Sequence, residues 1–222
     1  MTFRGLINEV LIRLREDTIS ADWSGDINDS TTVSDYQKVI GSLVNDSKRS
    51  VESYHDWLVL RETVDIDTVA ATKNYNLSSG QEFKVLDVTN NSTGYQLSQV
   101  NRSYLNSIMY PTDPTGEPTY YGFNGADASN NLKVDLSPIP TAAQTISFDI
   151  VKYQDELTTA STVIKIPNKP VVLGAWARAI AERGEDGGTQ SSIAGQEAAR
   201  ALNQAIMIDG GNTKYENDWF VV

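Results

Sequence analysis

Glu182, Glu185 and Asp186 put three carboxylates within five residues. Paired carboxylates do acid–base work when burial or a neighbouring charge separates their pKa values. Here they fall where a helical pattern runs out among Gly184, Gly187 and Gly188, so solvent surrounds them and a hydrolase acting through Glu182 or Glu185 has the weakest support. His55 is the only histidine, which excludes a serine-type triad and any multi-histidine metal site. Beside Asp56 and Trp57 at a helix end it reads as structural. Asp22, Asp26 and Asp29 lack the alternating ligands and closing glutamate of a calcium loop and read as a solvated loop. With no cysteine there is neither a thiolate nucleophile nor a cysteine-ligated metal. No GxxxxGK[ST] or GxGxxG phosphate loop occurs; the glycines fall at turns and helix ends. The residues therefore predict a chain that is not an enzyme and holds no cofactor or metal.

The 222 residues are 40% hydrophobic, enough for a sizeable core. A formal charge of -11 argues against a protein that grips phosphates, which needs a basic patch and counterion release. No stretch approaches the roughly 18 apolar residues of a membrane span, and the charges dispersed through MTFRGLINEVLIRLRED do not make a secretory signal. A soluble protein with no membrane partner is expected.

Helical spacing of Phe3, Leu6, Ile7, Val10, Leu11 and Leu14 predicts a first helix, and Tyr36, Ile40, Leu43, Val44, Ser47, Val51, Tyr54 and Leu58 predict a long second one after an N-cap at Ser34. From Thr63 the pattern alternates. Short strand candidates follow at residues 73–77, 82–88, 118–123, 132–136, 146–153 and 163–166, punctuated by turn residues, with a short helix over 102–110. Helical spacing returns after Pro167 with Val172, Leu173, Trp176, Ala179 and Ile180, and again with Ile193, Ala198, Ala201, Leu202, Ala205 and Ile206.

The expected fold is thus α+β. N- and C-terminal helices (1–61 and 168–209) form a four-helix bundle, an antiparallel β sandwich or barrel-like region (62–167) is inserted between them, and an extended tail covers 210–222. Trp219, Phe220, Val221 and Val222 end that tail as an apolar segment that nothing local can bury, which marks an interaction site. Arg178 and Arg183, five apart on the third helix, are expected to pair with Glu182, Glu185 or a neighbouring chain.

The runs TFRGLINEVLIRLRED, VIGSLVNDSKRSVESYHDWLVLR, LSPIP, WARAIAERGEDGG and AARALNQAIMIDGG ahead of NDW, in that order, resemble the head-to-tail adaptor (connector) proteins of tailed bacteriophages, especially short-tailed ones. The resemblance covers both helical ends and extends more loosely over the β-region. It implies a structural virion protein at the head–tail junction, made in the host cytoplasm. It implies a homo-oligomeric ring, usually of twelve subunits, between the portal protein and a tail nozzle or tail tube protein, with DNA passing through unbound. On this chain the portal contact falls to Trp219, Phe220, Val221 and Val222. The subunit interface falls to Arg13, Arg15, Arg178, Arg183 and Glu185. The other readings are a tail completion protein or a carbohydrate-binding module using Tyr110, Tyr120 and Tyr121, since sugar faces stack on aromatic rings.

Overall fold

The computed structural model describes residues 1–77, 82–109, 112–184 and 188–212. In chain order its elements are α1 (Phe3–Leu14), α2 (Asp35–Tyr54), a short 3-10 helix (Leu58–Leu60), β1 (Arg61–Asp67), β2 (Asn74–Leu77), β3 (Phe83–Asn90), β4 (Tyr95–Gln96), β5 (Ser98–Gln99), α3 (Arg102–Met109), β6 (Thr115–Gly116), β7 (Tyr120–Ala126), β8 (Leu132–Ser137), β9 (Ile139–Pro140), β10 (Thr145–Lys152), α4 (Asn168–Arg183) and α5 (Thr189–Gly211). Two compact units result: residues 1–60 with 153–222, and residues 61–152.

Local chemistry sets the helix ends in the first unit. The Thr2 side chain accepts the Gly5 N–H at the start of α1, and Arg15 closes that helix in the left-handed conformation at φ 58°. Ser34 and Gln37 form a reciprocal capping box on α2, satisfying two N–H groups that otherwise lack partners. α1 buries Phe3, Leu6, Ile7, Val10 and Leu11, and α4 buries Pro170, Val171, Val172, Leu173, Ala175, Ala179 and Ile180.

The expected four-helix bundle does not form. α4 packs against α1, α2 and α5, but α5 buries only Ala194, Ala201 and Ala205 and leaves Ile193, Met207 and Ile208 at 54%, 76% and 71% exposure. Three alanines offer too little apolar area to anchor a fourth face in a shared core. Loop side chains do that work instead: Ile19, Trp23, Ile27 and Val33 before α2, and Leu157, Ala160, Ile164 and Ile166 before α4, are all buried. Residues 163–166 are correspondingly not a strand; Val163 makes one isolated bridge with Thr2. Between α2, α4 and α5 lies an open groove of about 300 Å³ bordered by Ser47, Tyr54, Gly174, Arg178, Ala198 and Leu202.

The second unit has two four-stranded sheets, ordered β1-β10-β3-β4 and β2-β8-β7-β5, and a small β6-β9 pair. It is not uniformly antiparallel, because β5 runs parallel to β7 and β6 to β9. Both four-stranded sheets supply one core, with Ile66, Val88, Ile146, Phe148 and Ile150 from the first and Leu77, Tyr121, Val134 and Leu136 from the second. In β10 the buried residues Ile146, Phe148 and Ile150 alternate with Thr145, Ser147 and Asp149, the period of two that a sheet with one buried face requires. α3 packs on β7. Its Arg102 pairs with Asp135, a carboxylate 1% exposed that also accepts from Asn74 and Asn124. The chain enters through Arg61, leaves at Lys152, and pairs Arg61 with Val151 in the register of β1 and β10. The class is α+β, with five α-helices among the described residues.

Candidate functional site

Helix ends bring the arginines of the helical unit together. α1 delivers Arg13 in its last turn and Arg15 at its cap, while α4 delivers Arg183 in its last turn, where a cation complements the negative end of the helix dipole. Gly184 then adopts φ 64° and gives its N–H to the Ile180 carbonyl, a left-handed cap that glycine takes without strain. Arg13, Arg15 and Arg183 line one cavity of about 580 Å³ with Leu14, Trp176, Ile180 and Gln190.

The three guanidiniums are held differently. Arg183 donates from Nε to the Tyr36 hydroxyl at 2.8 Å and from Nη2 to the Glu16 carboxylate, and lies 5.0 Å from the Tyr36 ring centroid. The Glu16 bond, followed by Tyr36, raises its already high pKa further. Arg13 lies 5.7 Å over the Trp176 ring, a cation–π contact. Arg13 and Arg15 are exposed, and among the described residues neither has a carboxylate at ion-pair distance. A cavity walled by one indole and three guanidiniums is suited chemically to carboxylates, which arginine binds with two parallel N–H donors.

Arg178 lies apart from this cavity, on the α2–α4–α5 groove, where Nη2 donates to Ser50 Oγ at 2.8 Å. Its Nη1 is buried without a hydrogen-bond partner among the described residues. The expectations for Glu185 and for Trp219, Phe220, Val221 and Val222 lie outside the described residues. Tyr36 and Trp176 are the partners that sequence reasoning missed. Trp176 had been assigned to the packing face, and Tyr36 sits 147 positions from the arginine it serves.

The residues considered for other chemistry disperse. Glu182 is exposed on α4, and Glu185 and Asp186 lie outside the described residues. Asp26 accepts the Asn28 N–H at 2.8 Å, and this bond, then one with Thr158, holds its carboxyl below the usual range. It acts as a loop staple. His55 meets Asp209 at 3.0 Å and stands edge-on to Trp57 at 5.0 Å. Of the tyrosines offered for sugar stacking, Tyr121 is 4% exposed inside the β core, Tyr120 is half-buried against the edge of Tyr104, and Tyr110 lies outside the described residues. Burial of Tyr121 pushes its phenol pKa up. Among the described residues no helix is long and apolar enough to cross a membrane.

A comparison with curated proteins finds no match. The family model described as SU10 adaptor protein matches residues 1–217, a span that includes the helices, the β unit and the arginine cavity. The chain therefore belongs to the SU10 adaptor protein family, a family of phage head-to-tail adaptors.

Proposed function

We propose that this chain forms a ring, twelve subunits in number, that joins the capsid portal to the tail and leaves a channel through which the genome passes. Membership of the adaptor family implies a structural phage protein associated with portal and tail components at the head–tail junction. The observation that carries the fuller reading is the family match over residues 1–217, which takes in nearly the whole chain. In this reading Arg13, Arg15 and Arg183 meet the neighbouring subunit, Trp219, Phe220, Val221 and Val222 reach the portal, and the β unit, residues 61–152, serves the tail nozzle or tail tube. Synthesis in the host cytoplasm precedes assembly into the virion.

Charge supports the channel. With 29 acidic and 18 basic side chains, a ring of these subunits presents a predominantly negative surface to DNA, so the duplex slides without the counterion release that would hold it.

Electron microscopy of the protein mixed with the portal protein of the same phage, with and without residues 212–222, tests the reading. An added twelvefold ring under the portal, lost on truncation, is expected. A portal without added density in the presence of the full chain would overturn the adaptor ring.

A further inference from the structure

We propose that the cavity lined by Arg13, Arg15 and Arg183 receives the acidic residues Glu216 and Asp218 of a neighbouring copy, so that each subunit holds the next by its carboxyl-terminal segment. This rests on the ring reading and names the contact that closes it.

The cavity sets the chemistry of its occupant. Acidic side chains outnumber basic ones by 29 to 18, yet Arg13 and Arg15 have no carboxylate at ion-pair distance among the described residues. They face the same space as Arg183 and Trp176. A segment carrying two carboxylates next to an aromatic ring matches that wall. Tyr215-Glu216-Asn217-Asp218-Trp219 is such a segment. In an extended strand, side chains two apart share one face, about 6.6 Å from each other, so Glu216 and Asp218 can meet different guanidiniums while Asn217 points away.

Chain length decides which copy supplies the segment. Gln190 lines the cavity at the start of α5, and that helix continues to Gly211. At about 1.5 Å per residue, Gly211 is ~32 Å from Gln190. Fully extended, the chain beyond Gly211 reaches at most ~18 Å to Glu216 and ~25 Å to Asp218. A return to the cavity of its own chain would require the segment to run fully straightened back along α5, so the occupant is taken from another copy. This head-to-tail contact is heterologous, the type that generates a ring when the rotation between copies closes. Glu185 and Asp186, the next acidic residues after Arg183, lie outside the described residues, so the test reads occupancy by the neighbouring copy directly.

The chain contains no cysteine, so the double variant Gln190→Cys/Asn217→Cys carries only two thiols and keeps every charge. Assembled on the portal protein and joined with a flexible bis-maleimide, whose spacer reaches from the cavity rim to a side chain on the far face of the strand, it is expected to give a covalent ladder up to the full ring on a denaturing gel, while each single variant stays monomeric. A ring visible by electron microscopy without a ladder would overturn this contact and leave the adaptor reading standing. Absence of the ring would overturn both. Adding Arg13→Glu/Arg15→Glu is expected to lower the ladder yield by about tenfold or more, and combining it with Glu216→Lys/Asp218→Lys to restore it, because swapped charges re-form the pairing. An unchanged yield in the arginine variant would also overturn the contact.

Discussion

The Lys48 ammonium lies 3.1 Å from the Glu52 carboxylate one turn further along α2, and the two side chains are 2% and 0% exposed. Lys48 also donates to the Gln154 carbonyl, and the Gln154 N–H donates to Glu52 at 3.3 Å. The pair therefore fastens the middle of α2 to the segment that follows β10, and its buried atoms find partners in that backbone.

Removing one member should cost more than removing both. Lys48→Met leaves a buried carboxylate unpaired, and about 3–5 kcal/mol of stability is expected to be lost. The double variant Lys48→Met/Glu52→Leu should recover most of that. Urea midpoints of the three proteins measure it; a double variant as unstable as the single one would contradict the pairing.

Acid and alkaline sides of the stability profile should separate by residue. Burial holds the Glu52 carboxyl above its usual 4.5 despite the opposing pull of Lys48. The unfolded chain then gives up this proton first, so the contribution of Glu52 is fully present below about pH 4.5 and is lost as pH rises through the folded value. Asp26 and Asp127 are held below 3.8, chiefly by the backbone N–H groups of Asn28 and Asn131. Their contribution is present above about pH 3.8 and lost as pH falls through their folded values. In Glu52→Gln the decline above pH 4.5 should flatten while the acid loss persists, as read from denaturant midpoints against pH.

Close approach of α2 and α4 depends on Gly174. A Cβ there would stand 2.4 Å from Ser47 Oγ, the hydroxyl that donates to the Val171 carbonyl at 2.9 Å. Gly174→Ala is expected to destabilise by about 1–3 kcal/mol through overpacking. Ser47→Gly in the same chain should return part of it. A thermal melt of each variant decides the matter, and a neutral Gly174→Ala would show that the helices can part.

In the β unit, Arg102→Met strips the nearly inaccessible Asp135 of its one cationic donor among the described residues and leaves Asn74 and Asn124. Because Arg102 is itself 45% exposed, the expected loss is about 1.5–3 kcal/mol, in the range for a hydrogen bond to a charged group. Hydrogen exchange should quicken in α3 and β8 before the helical unit responds.

Much of this architecture was legible because it is local. The N-cap at Ser34, the stripe of α1 and the alternation in β10 each depend on residues within one element, so spacing reveals them. The bundle was misread where the pattern is ambiguous. Ile193 and Ala198 repeat at helical spacing whether or not anything covers them, and only the tertiary structure shows Ile193 at 54% exposure. Residues 163–166 read as strand because Val163, Ile164 and Ile166 lie close together, yet Ile164 and Ile166 fill the core of the helical unit. In the site, arginines at helix ends could be picked out from sequence; their convergence on Trp176 and Tyr36 spans long separations and leaves no periodic trace.

The pairing of Arg61 with Val151 brings the entrance and exit of the β unit side by side. Its 92 residues therefore amount to a cartridge with adjoining terminals, which a short turn between Leu60 and Tyr153 can replace without stretching the remaining chain. Such a unit is free to be exchanged or remodelled while the rest of the chain keeps its sequence, and a graft between related proteins needs to match only two neighbouring strand ends.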